Sequence, residues 1–225
     1  MRPPRSTLLL LLCLAPLLPN PLHAQGFGSF DEVPLTDLLE VLVLEGEVLA
    51  IDASGGGQLS QALHLQEEVL WTGARGRIGL VITSERLLAV SLGSASWSEQ
   101  RFERTEQRPG HALLGDRVGL VVTNNRALGF ESGSGQIFEY RLGPRESVLA
   151  TRAGENVLVV VTSRKALGLS PRGGFAEIRL QLKEELRGVS VRSNVATVRT
   201  NRRLLIFRGP SRSWAEQKLE LRQSG

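Results

Sequence analysis

Cysteine is nearly absent from the 225 residues: Cys13 is the only one, and it lies within the first 24. A chain that loses those residues has no disulfide, no thiolate nucleophile and no thiolate metal site, so ordinary packing must hold it together. Histidine is scarce as well. Beyond the leader only His64 and His111 occur, in different stretches and without acids beside them in sequence, which gives a histidine-based metal centre or a Ser-His-Asp triad little to build on. The four aspartates, Asp31, Asp37, Asp52 and Asp116, have no calcium-loop spacing. Aromatic residues make up 5% of the chain, too few for a surface of sugar-stacking platforms. No run of five like charges appears, and beyond the leader no apolar run approaches the roughly 20 residues of a membrane-crossing helix.

The chain starts with Met1-Arg2-Pro3-Pro4-Arg5, follows with a leucine-rich stretch from Leu8 to Leu18, and breaks at Pro19-Asn20-Pro21 before Ala24. A charged start, a short apolar stretch and a small residue at the cut predict a secretory signal peptide cleaved after Ala24, hence a secreted or periplasmic protein. Leu11-Leu12 before Cys13 lacks the small residue that lipoprotein processing requires. Removing Arg2 and Arg5 from the 27 basic residues leaves 25 against 23 acids, a mixed surface and not the dense basic stripe of a nucleic-acid module.

An internal repeat sets the architecture. Ile78–Arg86, Val118–Arg126, Val157–Lys165 and Val195–Arg203 align, with their threonines Thr83, Thr123, Thr162 and Thr200 spaced 40, 39 and 38 apart. Leu42–Ile51 is a degraded earlier copy, and five periods of about 39 residues nearly fill the span 25–225. Each period holds four strand-like pieces, in the fourth copy Ser147–Thr151, Val157–Val161, Ala166–Leu169 and Phe175–Leu182. The second piece is apolar throughout, as in a strand packed on both faces. The fourth alternates Ala176, Ile178, Leu180 and Leu182 with polar residues, as in an outer strand with one wet face. Turn residues separate the pieces, including Gly154-Glu155-Asn156 and Gly209-Pro210-Ser211. The expectation is an all-β fold: a single five-bladed β-propeller of four-stranded blades over residues 25–225. Two packed sandwiches would not need the same four-strand unit five times, and the period is too short for tandem PH-like domains.

Val48–Gly55 and Ala127–Gly135 resemble the Ala-Leu-Asp-Xaa-Xaa-Thr-Gly core of quinoprotein-type (PQQ-like) propeller repeats. The resemblance covers parts of two repeats and implies the propeller fold. The tryptophan that usually follows this core is missing from both, so no cofactor is carried over.

Among polar residues the most regular feature is a cation three positions after each threonine: Arg86, Arg126, Lys165 and Arg203, with Glu47 at the matching place in the first copy. In a closed propeller these would ring one face and focus field on an anionic glycan or polymer. Alternatively, Thr-Xaa-Xaa-Arg is turn chemistry, the hydroxyl bonding the turn backbone and the Arg stem covering apolar surface. Glu99, Glu139, Glu177 and Glu216 recur on the outer strands, one per blade, too far apart for paired acid/base work and suited to pairing with arginine. Arg199 stands where other second strands hold Val43, Ile82, Val122 and Val161, and marks either a binding crevice or a solvent-open seam. These features predict a noncatalytic module that holds another exported or envelope protein, binds no nucleic acid and needs no metal, with the basic ring and Arg199 as candidate contact residues; an anionic glycan- or polymer-binding propeller that uses the ring is the alternative, and a hydrolase, for which no nucleophile or acid/base pair emerges, ranks third.

Overall fold

The computed structural model describes residues 37–109 and 111–219, all within one compact unit, Pro34–Gly225. The signal peptide and its cleavage point lie outside the described residues.

Nineteen strands form five antiparallel sheets, and among the described residues there is no helix, so none that could cross a membrane. Blade 1 holds β1 (Leu39–Leu44), β2 (Glu47–Asp52) and β3 (Gln58–Ala62); blade 2 holds β4 (Val69–Arg75), β5 (Ile78–Thr83), β6 (Arg86–Ser91) and β7 (Ser98–Arg101). Blade 3 follows with β8 (Leu113–Leu114), β9 (Val118–Val122), β10 (Arg126–Glu131) and β11 (Gln136–Arg141). Blade 4 has β12 (Val148–Ala153), β13 (Leu158–Thr162), β14 (Lys165–Ser170) and β15 (Gly173–Arg179); blade 5 has β16 (Leu186–Val191), β17 (Val195–Thr200), β18 (Arg203–Arg208) and β19 (Ser213–Lys218). Within each sheet the strands pair in chain order, and from blade 2 to blade 5 consecutive sheets stack so that first strand meets first strand and fourth meets fourth, while β1 of blade 1 packs on β4 and β5. This is propeller-blade architecture on the expected period. It differs in one sheet: blade 1 shows three strands, and the stretch that would precede β1 lies outside the described residues.

Apolar side chains point alternately to the two neighbouring blades. Ile78, Leu80 and Ile82 pack towards Val121, Leu128 and Phe130 of blade 3, while Val81, Leu88 and Val90 pack towards Leu39, Val48 and Ala50 of blade 1. Valines 157, 159 and 161 face Ala196, Val198, Leu205 and Phe207 of blade 5. Gly168 lets blades 4 and 5 approach closely, because a Cβ there would sit 2.5 Å from the Phe207 ring. The residue that leads into β1 and the turns between first and second strands of blades 2 to 5 add a ladder of backbone bonds from blade to blade: Leu38 N–H to Gly76 O (2.8 Å), Arg77 N–H to Asp116 O (2.7 Å), Asp116 N–H to Glu155 O (2.8 Å) and Asn156 N–H to Ser193 O (2.9 Å). At the outer strands, the indole N–H groups of Trp97 and Trp214 donate to Leu59 O and Ala176 O of the preceding blade, each at 3.0 Å.

The ends of the stack differ from its middle. β5 and β6 are buried at every position, whereas β17 and β18 alternate buried with partly or fully exposed residues. Among the described residues blade 1 packs on blade 2 and blade 5 on blade 4, and no strands of blades 5 and 1 pack extensively on one another. Among the described residues one sheet face is therefore left without a covering sheet at each end. A smaller departure concerns the alternation expected to run through Leu182: β15 ends at Arg179, and Leu182 lies in the following turn, 86% exposed.

Candidate functional site

The repeat cations do not form a free ring. In blade 2, the turn His64–Glu67 leads the chain from β3 into β4, with Gln66 at φ +69°. Glu67 folds back to accept the His64 N–H (2.8 Å), which closes the turn. Its two oxygens also take the Thr83 hydroxyl (2.6 Å) and the Arg86 Nε and Nη2 hydrogens, each at 2.9 Å. The remaining Arg86 donors reach Glu99 on the outer strand and Ala62 O of the preceding blade. Thr83 Oγ1 meanwhile accepts the Arg86 N–H at 2.9 Å, fixing the β5–β6 hairpin. The result is a bidentate buried pair with further bonds on both partners; Arg86 is 2% exposed.

Blades 3 and 5 repeat the arrangement. Arg126 pairs with Glu106 and Glu139 and donates to Arg101 O of blade 2; Arg203 pairs with Glu184 and Glu216 and donates to Arg179 O of blade 4. Each guanidinium thus ties three parts of its own blade together and clamps the previous blade. Burial alone would raise the carboxyl pKa values of Glu67, Glu106 and Glu184. The hydrogen bonds from arginine, from threonine and from the turn backbone outweigh it, and all three lie below the usual glutamate range.

Blade 4 carries lysine instead. Lys165 Nζ bonds Glu177 at 2.6 Å and sits 5.1 Å from the Tyr140 ring centroid, while Glu146 is held by Thr162 (2.5 Å) and the Gly143 N–H (2.8 Å). An ammonium has no fork to span both carboxylates and a carbonyl, so the join between blades 3 and 4 lacks the clamp. In blade 1 Leu44 replaces the threonine and Glu47 the cation.

Arg86, Arg126 and Arg203 are therefore corrected from candidate ligand contacts to internal clamps; Lys165 is only partly buried but is engaged by Glu177. The alternative of turn chemistry describes them, and the outer-strand glutamates are their partners. Sequence reading missed Glu67, Glu106, Glu146 and Glu184. Their signal was available: each lies 16 or 17 residues before its repeat threonine. Sequence reading also left His64 without acidic neighbours, whereas its Nδ1 lies 2.7 Å from Glu85 Oε2 and 3.6 Å from Glu67 Oε2. Glu67 is already committed to Arg86, Thr83 and the His64 N–H, which leaves it a poor metal ligand.

Arg199 is exposed on the outer face of blade 5, cross-strand from Leu204. Its equivalents Ile82 and Val161 are fully buried because another sheet covers them; no described sheet covers Arg199. Among the described residues the innermost strands of blades 2 to 5 carry Thr72, Thr151, Arg152 and Ser190 and no carboxylate.

No family model matches the chain, and no curated protein matches it in sequence. Among solved structures, Prp20p from Saccharomyces cerevisiae, studied for its binding to Gsp1p and histones, is similar at 11% identity and TM-score 0.39, covering 76% of this chain and 55% of its own. The N-terminal domain of Nup159 is similar at 10% identity and TM-score 0.35, covering 81% and 58%, and Kluyveromyces lactis Hsv2p at 10% and 0.32, covering 82% of each chain. The chain spans little more than half the length of the first two.

Proposed function

We propose that this chain is an exported, noncatalytic β-propeller that holds another protein, and that the outer faces of blades 1 and 5 are where it does so. The supporting observation is that no described sheet covers either face, yet both are built from positions that bury fully in the middle of the stack. The outer face of blade 1 presents Leu42 and Leu44, 36% and 44% exposed, with Leu49 and Ile51 partly buried beside them and Glu40 and Glu47 at the margin. The outer face of blade 5 presents Val195, Leu204 and Ile206, all partly exposed, between Arg199 and Arg208. Fully covering a leucine contributes about 1.5–3 kcal/mol relative to leaving it in water, so a partner gains most where these side chains remain wet. The partner that fits is a protein offering an apolar β-sheet face, acidic where it meets Arg199 and Arg208. The leader sequence supports export, and the scarcity of histidine, aspartate and free carboxylates on the described inner strands supports a binding role over catalysis.

The test is affinity capture from the exported fraction at low and at moderate salt, with the wild type and with Leu42→Glu and Ile206→Glu. One defined protein, retained at moderate salt and lost with either variant, is expected. Capture of polyanionic material alone, released as salt rises, overturns the reading, as does capture that neither variant changes.

A further inference from the structure

A cleft of about 200 Å³ opens across blades 3, 4 and 5, at the turns that join first to second and third to fourth strands. Its lining is polar and basic: Arg117 from blade 3, Asn156, Pro171 and Arg172 from blade 4, Asn194, Gly209 and Pro210 from blade 5. No carboxylate lines it. Among the described residues neither Arg117 nor Arg172 has an acidic partner within 4 Å, in contrast to the repeat clamps. Arg117 Nε donates weakly to Ser132 Oγ at 3.3 Å, leaving its terminal nitrogens free within the described structure. Asn156 Nδ2 donates to Asn194 Oδ1 at 3.0 Å, which directs the Asn194 amide hydrogens elsewhere.

A second observation comes from comparing the blades. The residue that ends the third strand is polar in each of the first four: Asp52, Ser91, Glu131 and Ser170. In blades 1 to 3 a serine two or three residues later satisfies it: Ser54 Oγ lies 2.6 Å from Asp52, Ser94 Oγ lies 2.7 Å from Ser91, and Ser134 bonds Glu131. Blade 4 has Pro171-Arg172 instead, and the Ser170 hydroxyl, 1% exposed, has no hydrogen-bond partner. It lies just behind the cleft floor: its chain neighbour Pro171 is part of the lining, and a Cβ on Gly209 would come 3.7 Å from Ser170 Cβ. A buried hydroxyl without a partner is rare and calls for one. The hydroxyl itself is shielded from the cleft, whose lining offers the two uncompensated guanidiniums as its charged donors.

We propose that this cleft binds an oxyanion group, phosphate or sulfate, through Arg117, Arg172 and the Asn194 amide. Two guanidiniums from neighbouring blades approach such a group from different sides, and planar forks match its oxygens. The volume is below the roughly 300–1,000 Å³ of sites that enclose a whole drug-sized ligand, and suits one charged group with whatever carries it projecting into solvent. This site is on different residues from the repeat cations and independent of the end faces.

The test titrates inorganic phosphate into the purified protein at constant ionic strength and follows backbone amide shifts. Saturable shifts at Ser170, Asn194 and Gly209 are expected. Arg117→Gln/Arg172→Gln, at exposed positions that leave the packing intact, is expected to weaken binding about tenfold or more. Glucose 6-phosphate binding at least as tightly as the free ion assigns the group to a larger ligand; binding of inorganic phosphate alone assigns it to the free anion, and either supports the site. Absence of saturable shifts, or equal affinity in the double variant, overturns it.

Discussion

Replacing Arg126 with methionine is expected to cost about 3–5 kcal/mol of folding stability, because it leaves Glu106 buried and without its counter-charge. The Glu106 side chain is fully shielded, and that of Arg126 is 3% exposed. Methionine keeps much of the stem's packing, so the loss isolates the charge and the bond to Arg101 O of the preceding blade. For a domain of this size the drop in Tm is roughly 6–20 °C. Urea denaturation checks it through a lower midpoint at unchanged slope. Two controls sharpen the reading. Lys165→Met, in the blade whose cation is partly exposed and bonded to one carboxylate, is expected to cost under about 1 kcal/mol. The double substitution Glu106→Gln/Arg126→Met is expected to cost less than the two single substitutions combined, because neither partner is then left charged alone. A loss at Arg126 no larger than that at Lys165 would remove the clamp from the account.

Acid is expected to loosen the same three clamps together. Glu67, Glu106 and Glu184 have folded-state pKa values below the ordinary glutamate value of 4.5. A carboxyl with a depressed folded pKa binds protons more weakly folded than unfolded. Its contribution is complete above the unfolded pKa and is lost as pH falls through the folded one. Stability should therefore be insensitive to these groups near neutrality and fall as pH drops below about 4.5, where unfolding takes up a proton at each of the three carboxylates. Urea midpoints measured from pH 7 to pH 3 test this, and Glu184→Gln should make the decline shallower. A midpoint that declines no more steeply in the wild type than in that variant would contradict the arrangement.

The repeat was legible because blade formation is a local matter. Turn residues, an apolar second strand and a recurring threonine all fall within one period, and Thr83, Thr123, Thr162 and Thr200 mark equivalent hairpins. What the cations do was not legible, because exposure depends on partners far along the chain. Glu67 reaches Arg86 across 19 residues from a turn that reads as a solvated loop. The same applies to Leu182, whose place in the alternation looked like strand but whose backbone turns to enter the next blade, with Lys183 at φ +62°. Arg199 was the one residue that announced a long-range feature: a charge at a position buried elsewhere implies a missing neighbour, and no described sheet covers blade 5 there. The unpaired Ser170 could not be read from sequence, since serine also ends the third strand in blade 2, where Ser94 satisfies it.

The central claim is that this propeller engages its partner through its end faces and uses its repeat cations internally. Cys13 is the only cysteine in the chain and precedes the expected cleavage site, so a single introduced cysteine carries a photo-crosslinker to one chosen place. Leu42→Cys and Ile206→Cys put it on the two end faces, and Arg104→Cys puts it on an exposed turn beside the clamps. Crosslinking in the exported fraction is expected to give one defined adduct from Leu42→Cys or Ile206→Cys and none from Arg104→Cys. An adduct from Arg104→Cys alone would contradict the account and return the binding surface to the face that carries the repeat turns.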